Sequence, residues 1–107
     1  MEGQAYSASK RAVIRMCERR ALDWGAFGAR LVSVSPGVVW TPMGQEEAAS
    51  GHRAQAMADA TPMGRWGTAD DIAGTVEFLA SDAASYITGC DIRVDGGAVT
   101  AMRGANF

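Results

Sequence analysis

The sequence predicts an α/β fold with the element order helix–strand–helix–helix–strand. Three observations carry that reading. Apolar residues recur at three- and four-residue spacing over residues 5–24 and 69–81, the period of a helix buried on one face. Short strand-like runs at 30–35 and 90–95 each end at a turn dipeptide, Pro36-Gly37 and Gly96-Gly97. The stretch between those two runs is long and helical in composition, which suits a right-handed crossover between parallel strands.

Each element has its own local signature. In the first helix Ala5, Ala8, Ala12, Val13, Met16, Cys17, Ala21 and Trp24 form the apolar stripe, and Gly25 and Gly28 supply the stop and the turn. Arg30 to Ser35 is β-rich, apolar enough to expect neighbours on both sides, and too short for a helix. Residues 38–44 form a loop. Gln45 to Ala60 has helical propensity but few large apolar anchors, the composition of a helix free to move. A second loop, Thr61 to Gly67, leads to Thr68 as an N-cap, with Asp70 and Asp71 in the first turn where the helix dipole favours acids. Ile72, Val76, Leu79 and Ala80 then mark an amphipathic helix. Residues 82–89 are a connection. Cys90, Ile92 and Val94 alternate with Asp91, Arg93 and Asp95, as in a half-buried strand near a sheet edge. The last ten residues are Ala/Gly-rich and are expected to be poorly anchored.

Size and charge exclude several roles. The 107 residues have room for one domain at most. Ten basic and 12 acidic residues are interspersed, so there is no electrostatic case for nucleic acid or an anionic membrane surface. Arg15, Arg19 and Arg20 read as a solvated helix face. Cys17 and Cys90 have no metal-type spacing and read as small buried side chains in a reducing cytoplasm. His52, the single histidine, reads as exposed and without a role, and no metal site is expected. No apolar run is long enough to cross a membrane.

The chemistry is concentrated at Tyr6-Ser7-Ala8-Ser9-Lys10. On a helix, residues four apart share a face with Cβ atoms about 5–6 Å apart. A lysine ammonium that close favours the phenolate and lowers the tyrosine pKa. Such a phenol gives a proton to a carbonyl oxygen or takes one from an alcohol.

Tyr6 to Lys10 resembles the YxxxK motif of the short-chain dehydrogenase/reductase family. The resemblance runs on in order along nearly the whole chain. Arg30 to Met43, with Pro36-Gly37-Val38-Val39-Trp40-Thr41, is similar to the family's sixth strand and PG-x-x-x-T loop. Pro62 to Gly67 is similar to the loop entering the next helix. Leu79-Ala80-Ser81-Asp82 through Ile87-Thr88-Gly89 to Val94-Asp95-Gly96-Gly97 is similar to the closing helix and strand.

The resemblance implies the C-terminal half of a Rossmann-type doubly wound parallel sheet that binds NAD(P) across the carboxyl ends of its strands. It implies a single partial domain: residues 1–44 as catalytic helix, strand and loop, 45–67 as substrate lid, 68–97 as last helix and strand, and 98–107 as tail. Tyr6 would be proton donor to a substrate carbonyl, or base for an alcohol. Lys10 would hold the nicotinamide ribose. Pro36 and Gly37 would shape the loop against the nicotinamide. The Val39 backbone would bond the carboxamide, and the Thr41 hydroxyl would contact the carboxamide or a phosphate. Met43, Met57 and Met63 are either adaptable walls of the substrate site or plain packing.

No G-x-G-x-x-G-type run occurs in these 107 residues, and the serine that precedes the family's tyrosine is not among them. The expectation is therefore an oxidoreductase interconverting a small-molecule carbonyl and alcohol, present as its C-terminal half and inactive alone. The alternative is a non-enzymatic, self-associating or partner-binding remnant. Either way a homo-oligomer is expected, with Trp24, Phe27, Phe78 and Tyr86 as exposed apolar surface and Val13, Met16 and Cys17 partly uncovered.

Overall fold

The computed structural model describes residues 2–40 and 52–104, with the side chains of 2–4, 6, 52 and 53 left out. In order, the described elements are α1 (Glu2–Gly25), β1 (Ser33–Pro36), α2 (His52–Ala60), α3 (Ala69–Leu79), a 3₁₀ turn (Asp82–Ala84), β2 (Asp91–Val94) and α4 (Ala98–Arg103). The segment 41–51, which holds Thr41, Met43 and the start of the helix expected from Gln45, lies outside the described residues, as does the side chain of His52.

β1 and β2 form a two-stranded sheet. The Ser33 N–H donates to the Cys90 carbonyl at 3.1 Å, and the Gly37 N–H donates to Val94 at 3.0 Å. Donor and acceptor advance together along their strands, so the pair is parallel, as expected. β1 starts later than the run from Arg30 suggests. The Leu31 N–H goes instead to the Thr88 hydroxyl at 2.9 Å, a side-chain partner in place of a strand.

The chain divides into two compact units, Met1–Val34 with Phe78–Ile92 and Ser35–Glu77 with Arg93–Phe107. In the first, Cys17 and Ala21, one turn apart on α1, are buried along with Leu79 and Ala84. Gly89 approaches so closely that a Cβ there would lie 3.4 Å from the Ala21 Cβ. The Arg30 guanidinium ties this unit together. It donates to the carbonyl of Leu79, the last residue of α3, at 2.8 Å and to that of Ile87 at 3.2 Å. Such charged donors satisfy carbonyls that a helix end leaves without partners. Ser33 adds a 2.6 Å hydrogen bond to the Asp91 carboxylate across the strands.

The partly uncovered face expected on α1 is half right. Val13 and Met16 are each half exposed, but Cys17 is buried, because it shares the inward face with Ala21. Phe27 and Tyr86 stand free in solvent at 88% and 100% exposure, and Trp24 and Phe78 are about half exposed. Arg15, Arg19 and Arg20 are solvated, as read.

In the second unit α3 begins with a reciprocal cap. The Asp71 N–H donates to the Thr68 hydroxyl at 3.1 Å, and the Thr68 N–H donates to the Asp71 carboxylate at 2.8 Å. The expectation for the last ten residues is overturned at its start: Ala98–Arg103 is helical. Asp95 anchors it, its carboxylate accepting from the N–H groups of Gly97 at 2.9 Å and Val99 at 3.0 Å. Gly97 has φ +92°, and a Cβ there would lie 2.6 Å from Pro62 Cγ, so only glycine fits. α4 then packs on α2.

Among the described residues no helix is long and apolar enough to cross a membrane. No cluster of three or more His, Cys, Asp or Glu stands ready for a metal among them. Cys17 and Cys90 are free thiols, Cys17 buried and Cys90 only half-buried.

Candidate active site

In the first unit, Tyr6 and Lys10 both lie on α1, which is helical throughout Glu2–Gly25. They are therefore one turn apart on the same face. Lys10 is half-buried and the Tyr6 side chain lies outside the description.

In the second unit, Pro36 closes β1 and Gly37 follows it. A Cβ built on Gly37 would lie 2.7 Å from the Asp95 Cα and 2.8 Å from its Cβ. The loop after β1 thus runs flush against the backbone after β2, and only a residue without a side chain allows it. Val39 next forms a parallel bridge with Gly67. The bridge is built from the Gly67 N–H to the Val38 carbonyl at 2.8 Å and the Trp40 N–H to the Gly67 carbonyl at 2.9 Å. Gly67 thus uses both its N–H and its C=O in the bridge, whereas Val39, between the two bonded residues, uses neither there. The Val39 N–H and C=O therefore face away from Gly67, a donor and an acceptor side by side. Thr41 lies outside the described residues.

A hollow of about 260 Å³ lies in the same unit, lined by Val38, Met63, Arg65, Asp71, Thr75 and Asp95, among others. Arg65 Nη1 contacts the Asp71 carboxylate at 2.9 Å. The Arg65 hydrogen bond, helped by the two Thr68 hydrogen bonds, pulls the Asp71 pKa down to about 2, and Asp71 raises that of Arg65. For Asp95, burial pushes the pKa up, but the Val99 and Gly97 N–H groups hold it below the usual carboxylate range. Both acids are thus spent on structure and unsuited to proton transfer near neutrality. Met63 lines this hollow, whereas Met57 faces a groove of about 200 Å³ between α2 and α4 opposite Met102.

One further arrangement here has no local signature in the sequence. The Trp40 and Trp66 rings meet edge to face with centroids 5.1 Å apart, and the Trp66 indole N–H donates to Gln55 of α2 at 3.1 Å. The sequence signal was two tryptophans in the two loops that the resemblance brings into play, but nothing local pairs them.

A family model described as enoyl-(acyl carrier protein) reductase matches residues 1–99. The chain belongs to the short-chain dehydrogenase/reductase family. It is 43% identical over 93 residues to D-threitol dehydrogenase of Mycolicibacterium smegmatis, a match over 87% of this chain and 35% of that protein. A solved short-chain type dehydrogenase/reductase from Mycobacterium ulcerans superposes with TM-score 0.82 at 36% identity, over 90% of this chain and 35% of that one. The structure of 4-hydroxyisoleucine dehydrogenase complexed with NADH superposes with TM-score 0.80 at 36% identity, over 91% of this chain and 40% of that one. The chain thus spans little more than a third of these short-chain dehydrogenase/reductase relatives. Its α/β fold is the Rossmann-type fold of those structures.

Proposed function

We propose that the chain supplies the proton-transfer and nicotinamide side of an NAD(P)-dependent oxidoreductase that interconverts a small-molecule carbonyl and alcohol. The observation that carries this reading is the placement of Tyr6 and Lys10 one turn apart on α1 in a member of this family. In the proposal, residues 1–44 hold the catalytic helix and nicotinamide loop, 45–67 cover the substrate, and 68–97 close the sheet.

Tyr6 donates its phenolic proton to the carbonyl oxygen in the reductive direction, and as phenolate takes the alcohol proton in the oxidative one. The Lys10 cation favours the phenolate and binds the nicotinamide ribose hydroxyls. Pro36 and Gly37 let the loop lie flat against the ring. The Val39 N–H and C=O hold the carboxamide, and Thr41 adds a hydroxyl beside them. The nicotinamide, when bound, supplies or accepts the hydride. The two free thiols suit a cytoplasmic setting.

The chain is proposed to work only together with residues that supply a Gly-rich pyrophosphate turn and the family's serine. Helix N-termini opened by such turns hold the pyrophosphate, and positioning carries much of the rate. A second reading, a self-associating remnant without turnover, is favoured by the exposure of Leu22 (80%), Phe27 (88%) and Tyr86 (100%) in the first unit.

Calorimetry with NADH and NADPH separates the two. The chain alone should give no saturable isotherm in the micromolar range, and the chain complemented by a Gly-rich nucleotide-binding half should give one. Absence of binding in both would favour the remnant. Saturable binding by the chain alone would show that it builds its own pyrophosphate site.

A further inference from the structure

We propose that Trp40 is a positioning residue for the Val39 backbone, held by Trp66 and, through Trp66, by Gln55 of α2. The inference rests on the proposed assignment of Val39 to the nicotinamide carboxamide. Trp40 and Trp66 each adjoin one side of the Val39–Gly67 bridge, and their planes stand at 88° with centroids 5.1 Å apart. That is the edge-to-face geometry in which the ring quadrupoles attract.

The bridge on its own is two backbone hydrogen bonds, and so short a pairing opens readily. Trp40 is 43% exposed, so its ring is not there to fill a core. Among the described residues its only aromatic partner is Trp66. Trp66 in turn is fixed at its indole nitrogen by the Gln55 side-chain oxygen at 3.1 Å. The Gln55 amide is itself oriented, since its nitrogen donates to the Asp59 carboxylate at 2.9 Å. A chain of contacts therefore runs from α2 to the residue beside Val39. A donor–acceptor pair recognises a planar amide only when held to within about 0.5 Å. The strap supplies that constraint where the bridge is weakest. It also makes the seating of α2 felt at the nicotinamide loop.

Two readouts on the full chain test this. Amide hydrogen exchange at Gly67 reads the bridge, and the Val39 amide shift during titration with millimolar nicotinamide mononucleotide reads its use. Trp40→Leu and Gln55→Met should speed Gly67 exchange about two- to tenfold, the worth of an edge-to-face pair. The Gly89 amide, bonded to Leu31 in the first unit, should keep its rate. Trp40→Phe, which keeps an aromatic ring, should stay close to wild type in both exchange and Val39 shift. Trp40→Leu should shrink the Val39 shift. If Trp40→Leu loosens the whole chain, so that Gly89 also exchanges faster, the exposed Gln55→Met variant decides. Unchanged Gly67 exchange in the variants would overturn the strap, while a wild-type Val39 shift would leave the Val39 assignment standing. Faster exchange with no Val39 shift in the wild type would overturn the positioning role together with that assignment.

Discussion

Gly37 and Asp95 touch backbone to backbone: a single added carbon on Gly37 would lie 2.7 Å from the Asp95 Cα. The contact joins the loop that carries Val39 to the turn that starts α4. Backbone is the neighbour here, so it cannot give way as a flexible side chain would. Gly37→Ala should cost about 1–3 kcal/mol, the range for overpacking a tight contact. Gly74, on the exposed side of α3, has nothing within 4 Å of its missing Cβ. Gly74→Ala should therefore change stability in the opposite direction, by about 0.5–1 kcal/mol. Urea midpoints of the two variants measured side by side check the sign of each.

Asp71 makes acid stability specific to one residue. Its folded pKa, about 2, is below the ordinary carboxylate value because of the Arg65 and Thr68 hydrogen bonds. A group depressed on folding stabilises fully above its unfolded pKa, roughly 4, and loses that contribution as pH falls through the folded value. Wild type should thus exceed Asp71→Asn in urea midpoint at pH 5, with the gap narrowing between pH 4 and 2. The pair is exposed, so salt should narrow it too. A gap that stayed constant from pH 5 to 2 would mean that the Arg65–Asp71 charge pair contributes nothing.

Self-association is the expected outcome of so small a sheet and core. Each strand has only four residues, and β1 has β2 as its partner strand among the described residues. A two-stranded parallel pair is marginal by itself, and the buried core is built mainly of small side chains such as Cys17, Ala21, Ala58 and Ala84. Light scattering at micromolar concentration should report a homo-oligomer, most simply a two-fold dimer built on residues 68–81 and 90–95. A sharp, well-folded monomer at all concentrations would contradict this.

Local signals and distant contacts account for what the sequence showed and what it hid. Thr68 announced the start of α3, because an N-cap followed by acids in the first turn is a local signal, and the structure adds the return bond from the Thr68 N–H to Asp71. The alternation of Ile92 and Val94 with Arg93 announced β2, because Arg93 stands exposed between two half-buried apolar neighbours. That Tyr6 and Lys10 share a helix one turn apart was legible from their spacing, because both fall inside one run of helical periodicity. α4 was hidden, because Ala98–Arg103 reads as a weak tail until Asp95 caps it and α2 packs on it. The reason for Gly37 was hidden too, since its neighbour Asp95 is distant in sequence. So was the Trp40–Trp66 contact, which exists only once the Val39–Gly67 bridge has formed.

Tyr6 is proposed to exchange the substrate proton. Its most direct test is the turnover number of Tyr6→Phe in the chain complemented by a Gly-rich nucleotide-binding half, with NADH affinity measured on the same samples. Removing the phenolic oxygen leaves the ring and the helix in place. NADH affinity should be unchanged and turnover lowered by about 10²–10⁴-fold, the usual worth of a positioned acid–base group. A Tyr6→Phe enzyme that binds NADH and keeps most of its turnover would contradict it.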